Sequence, residues 1–350
     1  MQTEGYDIIL NPVNIFRICC DITLKVSIII PVFNGAEHIP NFFDALSEQT
    51  YGSCEVIFVV DKKTTDDSLK LIEAGRERFP GIKAMIQEGD TKLGGARNEG
   101  LAVSDGEIVW FLDVDDKPVP DLLEYTVSVM EKNDADIVMF NSVRSYSRDI
   151  SIPNGNYEVE VMDREKAVLG LLNLRLPVTA WSKIIRKSLL TENNIEFTHG
   201  YAEDVDHTYR AVDRSRTVCF CERPLYIYVQ NRSSICNSGL HNNTRGKAEI
   251  ATYARLEDLF AGDAELNGQF KKRSAIIRIR SSVHMDKENF MKYAKGPECG
   301  EMLKSNLPRS VSPEVILFRV APSLYYSFVS YYLRKIYYKD KKYFRKPKHA

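Results

Sequence analysis

From Lys25 to about Ser142, short apolar runs alternate with segments of helical spacing. Val26–Val32 reads as a buried strand closed by Phe33-Asn34-Gly35, and a polar-faced helix follows to about Gln49. Glu55–Val60 is a second apolar strand. Thr64 or Thr65 can then cap a helix carrying Asp66 and Asp67 in its first turn, where the helix dipole favours acids. A short strand over Ile82–Gln87, a helix over Gly94–Val103 and the strand Glu107–Leu112 come next. A helix from about Val119 to Lys132 and the strand Asp136–Asn141 complete the series. Fully apolar strands alternating with helices predict an α/β fold with a doubly wound, mostly parallel sheet. Right-handed crossovers align the loops after Val32, Val60 and Leu112 along one edge. There is no internal repeat.

Beyond about Thr244 the pattern becomes helical, over Arg245–Phe260 and Lys271–Val283. Val315–Leu333 holds a single charge, Arg319, but Pro322 and several Ser and Tyr argue against a membrane-spanning helix. A basic run follows: Arg334 to Lys348 contains eight Lys/Arg and one acid, Asp340. An aromatic and basic end of this kind suits the interface of an anionic membrane, or a packing helix with a solvated tail.

The net charge of −1 over 350 residues gives no sign of nucleic-acid binding. The seven cysteines are odd in number and scattered, and Cys219-Phe-Cys221 is too short for a zinc pair. They read as reduced thiols in a cytosolic compartment. Glu4, Asp7, Arg17 and Asp21 interrupt the start, so no secretory signal is expected.

The apolar run Glu107–Leu112 ends in Asp113-Val114-Asp115-Asp116. Three carboxylates released at a strand's carboxyl end need solvent, a basic group or a cation to offset them. Ligands of open α/β sheets bind at that end, which suggests a divalent metal holding a phosphorylated substrate. An acidic turn is the other reading of the same residues.

Further motifs accompany the tetrad in order: Pro31-Val32-Phe33-Asn34, Val59-Val60-Asp61, Gly95-Ala96-Arg97-Asn98-Glu99-Gly100-Leu101 and Gly106-Glu107. Together with Phe111-Leu112-Asp113-Val114-Asp115-Asp116 they resemble the family 2 glycosyltransferases, closely to Ser142 and more loosely to about Ser238. The resemblance implies the GT-A nucleotide-sugar fold and an inverting transfer from a nucleotide diphosphate to a hydroxyl. It implies Mn²⁺ or Mg²⁺ as a Lewis acid for the leaving diphosphate, with Asp115 as the direct ligand and Asp113 on the metal or ribose side. Asp116 is less clearly a ligand. By the same resemblance Pro31, Phe33, Asn34, Asp61, Lys92 and Arg97 border the donor. Phe33 would stack on the base or pack in the core. Arg97 would touch the donor or hold the acidic loop.

One position departs from the family pattern. A second acid usually follows Asp61 and reads the nucleobase, whereas this chain has Lys62, which cannot accept a pyrimidine N3–H. A UDP-sugar remains the default donor, with Asp61 or backbone groups reading the base.

In the second half, Trp181-Ser182-Lys183-Ile184 resembles a segment beside the acceptor pocket. Gly200-Tyr201-Ala202-Glu203-Asp204-Val205 resembles the acidic pair that opens a helix. The implied general base is Asp204, with Glu203 positioning it or contacting the acceptor. An acid that merely answers the helix dipole is the alternative. His207, one turn on, reads as a solvated or packed histidine more than as a base. Arg232 and Ser233, with His241 as a weaker addition, resemble a lid over the diphosphate.

The expected organisation is an N-terminal extension (1–24), a GT-A domain (25–240, divided at 142/143 into nucleotide-sugar and acceptor halves) and a helical C-terminal region (241–350). The implied partners are a nucleotide-sugar and a glycan or lipid-linked glycan of a surface polysaccharide, with peripheral contact at the inner membrane face. Oligomeric state is not legible. Two other classes are a catalytically impaired binding relative, favoured by Lys62, and a sugar-phosphate nucleotidylyltransferase. The latter would need a glycine-rich basic loop that Pro31–Ala36 does not supply.

Overall fold

Strand β1 (Val26–Val32) is buried at every position and lies between β2 (Cys54–Val60) and β4 (Ile108–Phe111), parallel to both. Ile28 pairs in register with Val56 on one side and Trp110 on the other. β3 (Ile82–Ile86) extends the parallel set beyond β2. The structure is a computed structural model; it describes residues 23–79, 81–89, 92–152, 155–230, 242–307 and 312–343, from 333 onward as backbone alone.

The second half of the sheet is less regular. β8 (Lys183–Arg186) enters antiparallel between β4 and β6 (Ile137–Ser145). The long β9 (Val218–Val229) then runs parallel to β6 and takes β5 (Lys117–Pro118) and β7 (Val159–Met162) as antiparallel partners. The segment expected simply to line a pocket, Trp181–Ile184, therefore runs into a central strand. Short, two-sided apolar strands look alike in sequence whichever way they run.

Alternate residues of β1 feed two core layers. Val26, Ile28, Ile30 and Val32 pack with Trp110 against α1 (Ile39–Ser47) and α4 (Leu122–Lys132). Ile29 packs with Val59 and Phe111 beneath α3 (Lys92–Ala102), α5 (Arg164–Leu172) and α7 (Glu203–Arg214). Tyr253 and Leu256 of α8 (Asn243–Leu259) and Leu266 and Phe270 of α9 (Ala264–Ser282) belong to this second layer, so the first C-terminal helices complete the sheet's own core. A third cluster joins the end of α9 to α10 (Lys287–Ala294), α11 (Pro297–Asn306), α12 (Pro313–Val320) and α13 (Pro322–Tyr343). No helix among the described residues is long and apolar enough to cross a membrane.

Several boundaries differ from the sequence reading. α2 spans Ser68–Gly75 with Asp67 as its flanking residue, so Thr64, Thr65 and Asp66 lie in the turn before it. That turn is held by side chains: Asp66 accepts the Ala36 N–H at 2.9 Å, and Asn34 Oδ1 accepts the Thr65 N–H at 2.9 Å. β6 runs on to Ser145, because β9 supplies a partner well past Asn141. α9 begins at Ala264 rather than Lys271, with Asp263 accepting the Leu266 N–H as its cap. Cys54, Cys219, Cys221 and Cys299 are all unpaired.

Candidate functional site

The loops after β1, β2 and β4 emerge at the carboxyl edge of the parallel strands, where the head of α7 also arrives. Helix α3 organises this edge. A Cβ on Gly94 would come within 2.7 Å of the Thr198 carbonyl oxygen and 3.4 Å of Glu203 Cγ, so only glycine lets α3 approach so closely. Each polar residue of Arg97-Asn98-Glu99 then fixes a different segment. Asn98 exchanges two hydrogen bonds with the Phe197 backbone: Phe197 N–H donates at 2.8 Å and its carbonyl accepts at 2.9 Å. Glu99 accepts the N–H groups of Glu88 and Gly89 at 2.9 and 3.0 Å, which anchors the loop after β3.

Arg97 lies at the centre, 2% exposed. One guanidinium nitrogen donates to Asp113 Oδ1 and another to Glu203 Oε1, both at 3.1 Å, and the Phe197 ring faces the guanidinium carbon at 5.2 Å. Two carboxylates from opposite halves of the chain thus share one cation. Asp204 stands beside Glu203, its Oδ1 accepting the Val205 N–H at 2.8 Å. Ala202 precedes the pair in the left-handed region (φ 64°), which turns the chain sharply into α7.

The charge balance at this edge is unfavourable to the acids. Burial raises Asp113; Arg97 opposes the shift, while Asp115 and Asp204 reinforce it. Glu203 is pushed up to about 7 by burial and by Asp204, against the pull of Arg97. Burial also raises Asp204, with Arg97 and Lys183 opposing. Lys183 is buried, donates to the Thr179 carbonyl and is brought down to about 7 by burial, with Asp204 opposing. The cluster therefore holds more carboxylates than its cations satisfy.

Asp116 has a different setting. It is fully buried, and its two oxygens accept the Tyr226 hydroxyl at 2.9 Å and the Val229 N–H at 2.8 Å. Burial, then Asp115 and Asp113, raise it well above the ordinary carboxylate range. Trp181 stacks flat on Tyr226 at 4.4 Å, so the acceptor-segment tryptophan backs the acidic loop. Arg148 closes the loop from the other side, donating to the carbonyls of Asp115 and Asp116 at 2.9 and 2.7 Å.

The fit of a divalent cation rests on Asp113 and Asp115. Both offer hard oxygen donors, and Asp115 contributes to the raising of Asp113, a repulsion that a cation relieves. No group of three or more His, Cys, Asp or Glu suited to a metal occurs among the described residues. Two carboxylates nonetheless suit Mg²⁺ or Mn²⁺ when phosphate oxygens and water complete the coordination.

The other expected residues lie around this cluster. Pro31 is buried in β1 opposite Val59. Phe33 is 59% exposed, which removes core packing as its role. Asn34, at φ 47°, ties the first loop to the second through Thr65. Asp61 Oδ1 accepts the Lys63 N–H at 2.8 Å, and Lys62 Nζ donates to the Glu88 carbonyl at 3.1 Å. Lys92, also in the left-handed region, holds its ammonium 6.0 Å from the Tyr201 ring centroid. His207 is buried, stacked flat on Phe197 at 3.8 Å and held well below its usual range by burial and nearby cations. It is a packed neutral ring. Arg232, Ser233 and His241 lie outside the described residues. A separate cleft of about 580 Å³ is lined by none of these candidates; its Asp206 already pairs with Arg210 and Arg255.

Asn98, Glu99, Arg148 and Tyr226 were not singled out from sequence as loop anchors. The Arg-Asn-Glu run was visible, but the partners of Asn98 and Arg148 are distant in the chain and mostly backbone.

Comparison with known proteins bears on this geometry. Residues 27–190 match the family profile described as Glycosyl transferase family 2. The "Uncharacterized glycosyltransferase YibD" of Escherichia coli K12 is 25% identical over 63% of this chain and 64% of its own. The "Amylovoran biosynthesis glycosyltransferase AmsB" of Erwinia amylovora is 38% identical over 31% of this chain and 36% of its own. The "Poly(ribitol-phosphate) beta-N-acetylglucosaminyltransferase TarS" of Staphylococcus aureus Mu50 is 27% identical over 68% and 41%. The chain thus spans less than two thirds of these relatives' lengths. The crystal structure of S. aureus TarS 1–349 with UDP-GlcNAc superposes with a TM-score of 0.65 at 18% identity, covering 89% of this chain and 92% of that one. That likeness is one of fold, over most of the chain.

Proposed function

Through residues 27–190 the chain belongs to glycosyl transferase family 2, and on that premise we propose that it moves a sugar from a nucleotide diphosphate to a glycan hydroxyl with inversion. The observation that carries the reading is the meeting of Asp113, Glu203 and Asp204 around Arg97 at the carboxyl edge of the sheet.

In this reading Asp113 and Asp115 face the donor diphosphate and would hold Mn²⁺ or Mg²⁺. The cation supplies Lewis-acid stabilisation of the leaving phosphate. Asp204 removes the acceptor hydroxyl proton as that oxygen attacks C1 opposite the diphosphate. Lys183 opposes the raising of Asp204 and so favours its ionised, proton-accepting form. Glu203, tied to Arg97, positions Asp204 and couples the acceptor side to the donor side.

Phe33, exposed at the mouth, stacks on the nucleobase, with Pro31, Asn34 and Lys92 shaping the loops around it. Lys62 stands where a base-reading acid is usual, so we assign base reading to Asp61. A UDP-sugar is the default donor, in keeping with the UDP-GlcNAc bound to the TarS relative. Arg232 and Ser233 remain the proposed grip on the diphosphate. The acceptor we infer is a glycan or lipid-linked glycan of a surface polysaccharide, met at the inner face of a cell membrane.

Asp204→Asn separates binding from chemistry. Donor titration with Mn²⁺ by calorimetry is expected to match the parent protein, while transfer falls by at least about 10². Retained turnover would remove the base role from Asp204.

A further inference from the structure

We propose that α12 and α13 form a docking surface for an anionic lipid bilayer. The observation is a concentration of exposed apolar side chains on these two helices that no other described element buries. Ile316, Val320, Leu324, Phe328, Tyr331 and Tyr332 are between 44% and 75% exposed. Among the described residues, the other large exposed apolar side chains are separated widely along the chain between Phe33 and Leu174. These six fall within seventeen residues: Ile316 and Val320 are one turn apart on α12, and Leu324, Phe328, Tyr331 and Tyr332 follow one side of α13.

The opposite faces of both helices are already occupied by core packing. Val315 and Phe318 of α12 are buried, as are Tyr325 and Tyr326 of α13, all in the third core cluster. Tyr325 donates to Glu314 at 3.0 Å and Tyr326 donates to the Met285 carbonyl at 3.1 Å, which fixes how α13 is rotated. With that face occupied, Leu324, Phe328 and Tyr331 necessarily point the opposite way. Both faces of α13 are therefore apolar, and only one has a partner. An exposed apolar patch of this kind marks an interaction surface.

Charge identifies the partner. Directly after Tyr332 the sequence gives Arg334, Lys335, Lys339, Lys341 and Lys342, then Arg345, Lys346 and Lys348, against Asp340 alone. Apolar anchors running into a basic stretch match a bilayer whose acyl boundary lies next to an anionic headgroup layer. A protein partner would require a complementary acidic rim beside an apolar groove. No described helix is suited to crossing the membrane, so the contact lies in its surface. The placement is independent of the transfer chemistry, because none of these six residues touches the Arg97 cluster.

The test uses the full chain with sedimenting vesicles of phosphatidylcholine, alone or with about a third phosphatidylglycerol. Binding is expected only to the anionic vesicles and to weaken several-fold as salt rises. L324E/F328E, at two exposed positions, is expected to keep the parent's thermal midpoint and lose at least tenfold in bound fraction. Failure to bind anionic vesicles, or equal binding by the double variant, overturns the proposal. Concentration-dependent self-association in light scattering that the double variant abolishes, without vesicle binding, reassigns the patch to a second copy of this chain. Loss of vesicle binding with donor binding intact leaves the Asp113–Asp204 assignment standing.

Discussion

Arg97 and Glu203, 106 residues apart, are joined by a 3.1 Å charge-assisted hydrogen bond inside the protein, and the same guanidinium holds Asp113. This links the donor half to the acceptor half through one side chain. Removing the cation leaves two carboxylates in a burial-dominated setting. Arg97→Ala is therefore expected to cost about 3–5 kcal/mol in urea unfolding. Arg97→Lys should recover only part of that, because a lysine lacks the fork needed to reach both acids. An unchanged midpoint in Arg97→Ala would show that the bridge contributes nothing, and in Arg97→Lys that the fork is not needed.

Asp115 belongs to the loop that Arg148 and Tyr226 brace, so its substitution leaves the loop's supports in place. Asp115→Ala is expected to abolish the Mn²⁺-dependent part of donor binding, at least tenfold, with the thermal midpoint within a degree or two. A chelator should reproduce the loss in the parent protein and add nothing to the variant. Nucleotide titrations insensitive to both would remove the metal from this loop.

The acids at the head of α7 predict an acid limb in the rate. Asp204 acts ionised, and burial raises it, so transfer declines as pH falls through its raised pKa. Glu203 is pushed up to about 7, with Asp204 a contributor after burial, so each carboxylate makes ionisation of the other harder. Glu203→Gln is expected to move the acid limb to lower pH, followed as kcat/KM from about pH 5 to about pH 9. A limb that stays in place would show that the two groups titrate independently.

Stability has a separate acid dependence at the other end of the sheet. Burial alone would raise Glu55, but hydrogen bonds from Lys83, Ser27 and the Asp105 N–H bring it from 4.5 to about 2. The folded carboxylate binds its proton more weakly than the unfolded one. Its contribution is complete above about pH 4.5 and is lost as pH falls through about 2. The exposed Lys83 is screened by solvent, so Glu55→Gln is expected to cost about 1–2 kcal/mol at neutral pH. The difference should vanish in unfolding curves near pH 2.

The parallel half of the sheet was legible because Ile28–Val32, Val56–Val60 and Ile108–Leu112 are unbroken apolar runs, as strands covered on both faces must be. The antiparallel β8 was not, since nothing in Lys183–Arg186 encodes direction. Asp113 and Asp116 carry the same side chain three residues apart, yet one meets Arg97 and the other is enclosed by Tyr226 and Val229. Side-chain type cannot separate them; the long return of β9 past Asp116 and the seating of Arg97 against Asp113 do. Phe33 shows the converse, because an aromatic after a buried strand fits core and surface equally until its exposure is known.

The close seating of α3 limits how this site can be varied. Gly94 meets the Thr198 carbonyl and Gly100 meets Ile29, while Arg97, Asn98 and Glu99 each hold a separate segment. A library randomised along that helix would mostly report on folding. Donor preference is better explored at Phe33 and Lys62, whose exposed side chains leave the scaffold intact when exchanged. The helix works as a fixed chassis, and evolvability is confined to the loops it holds.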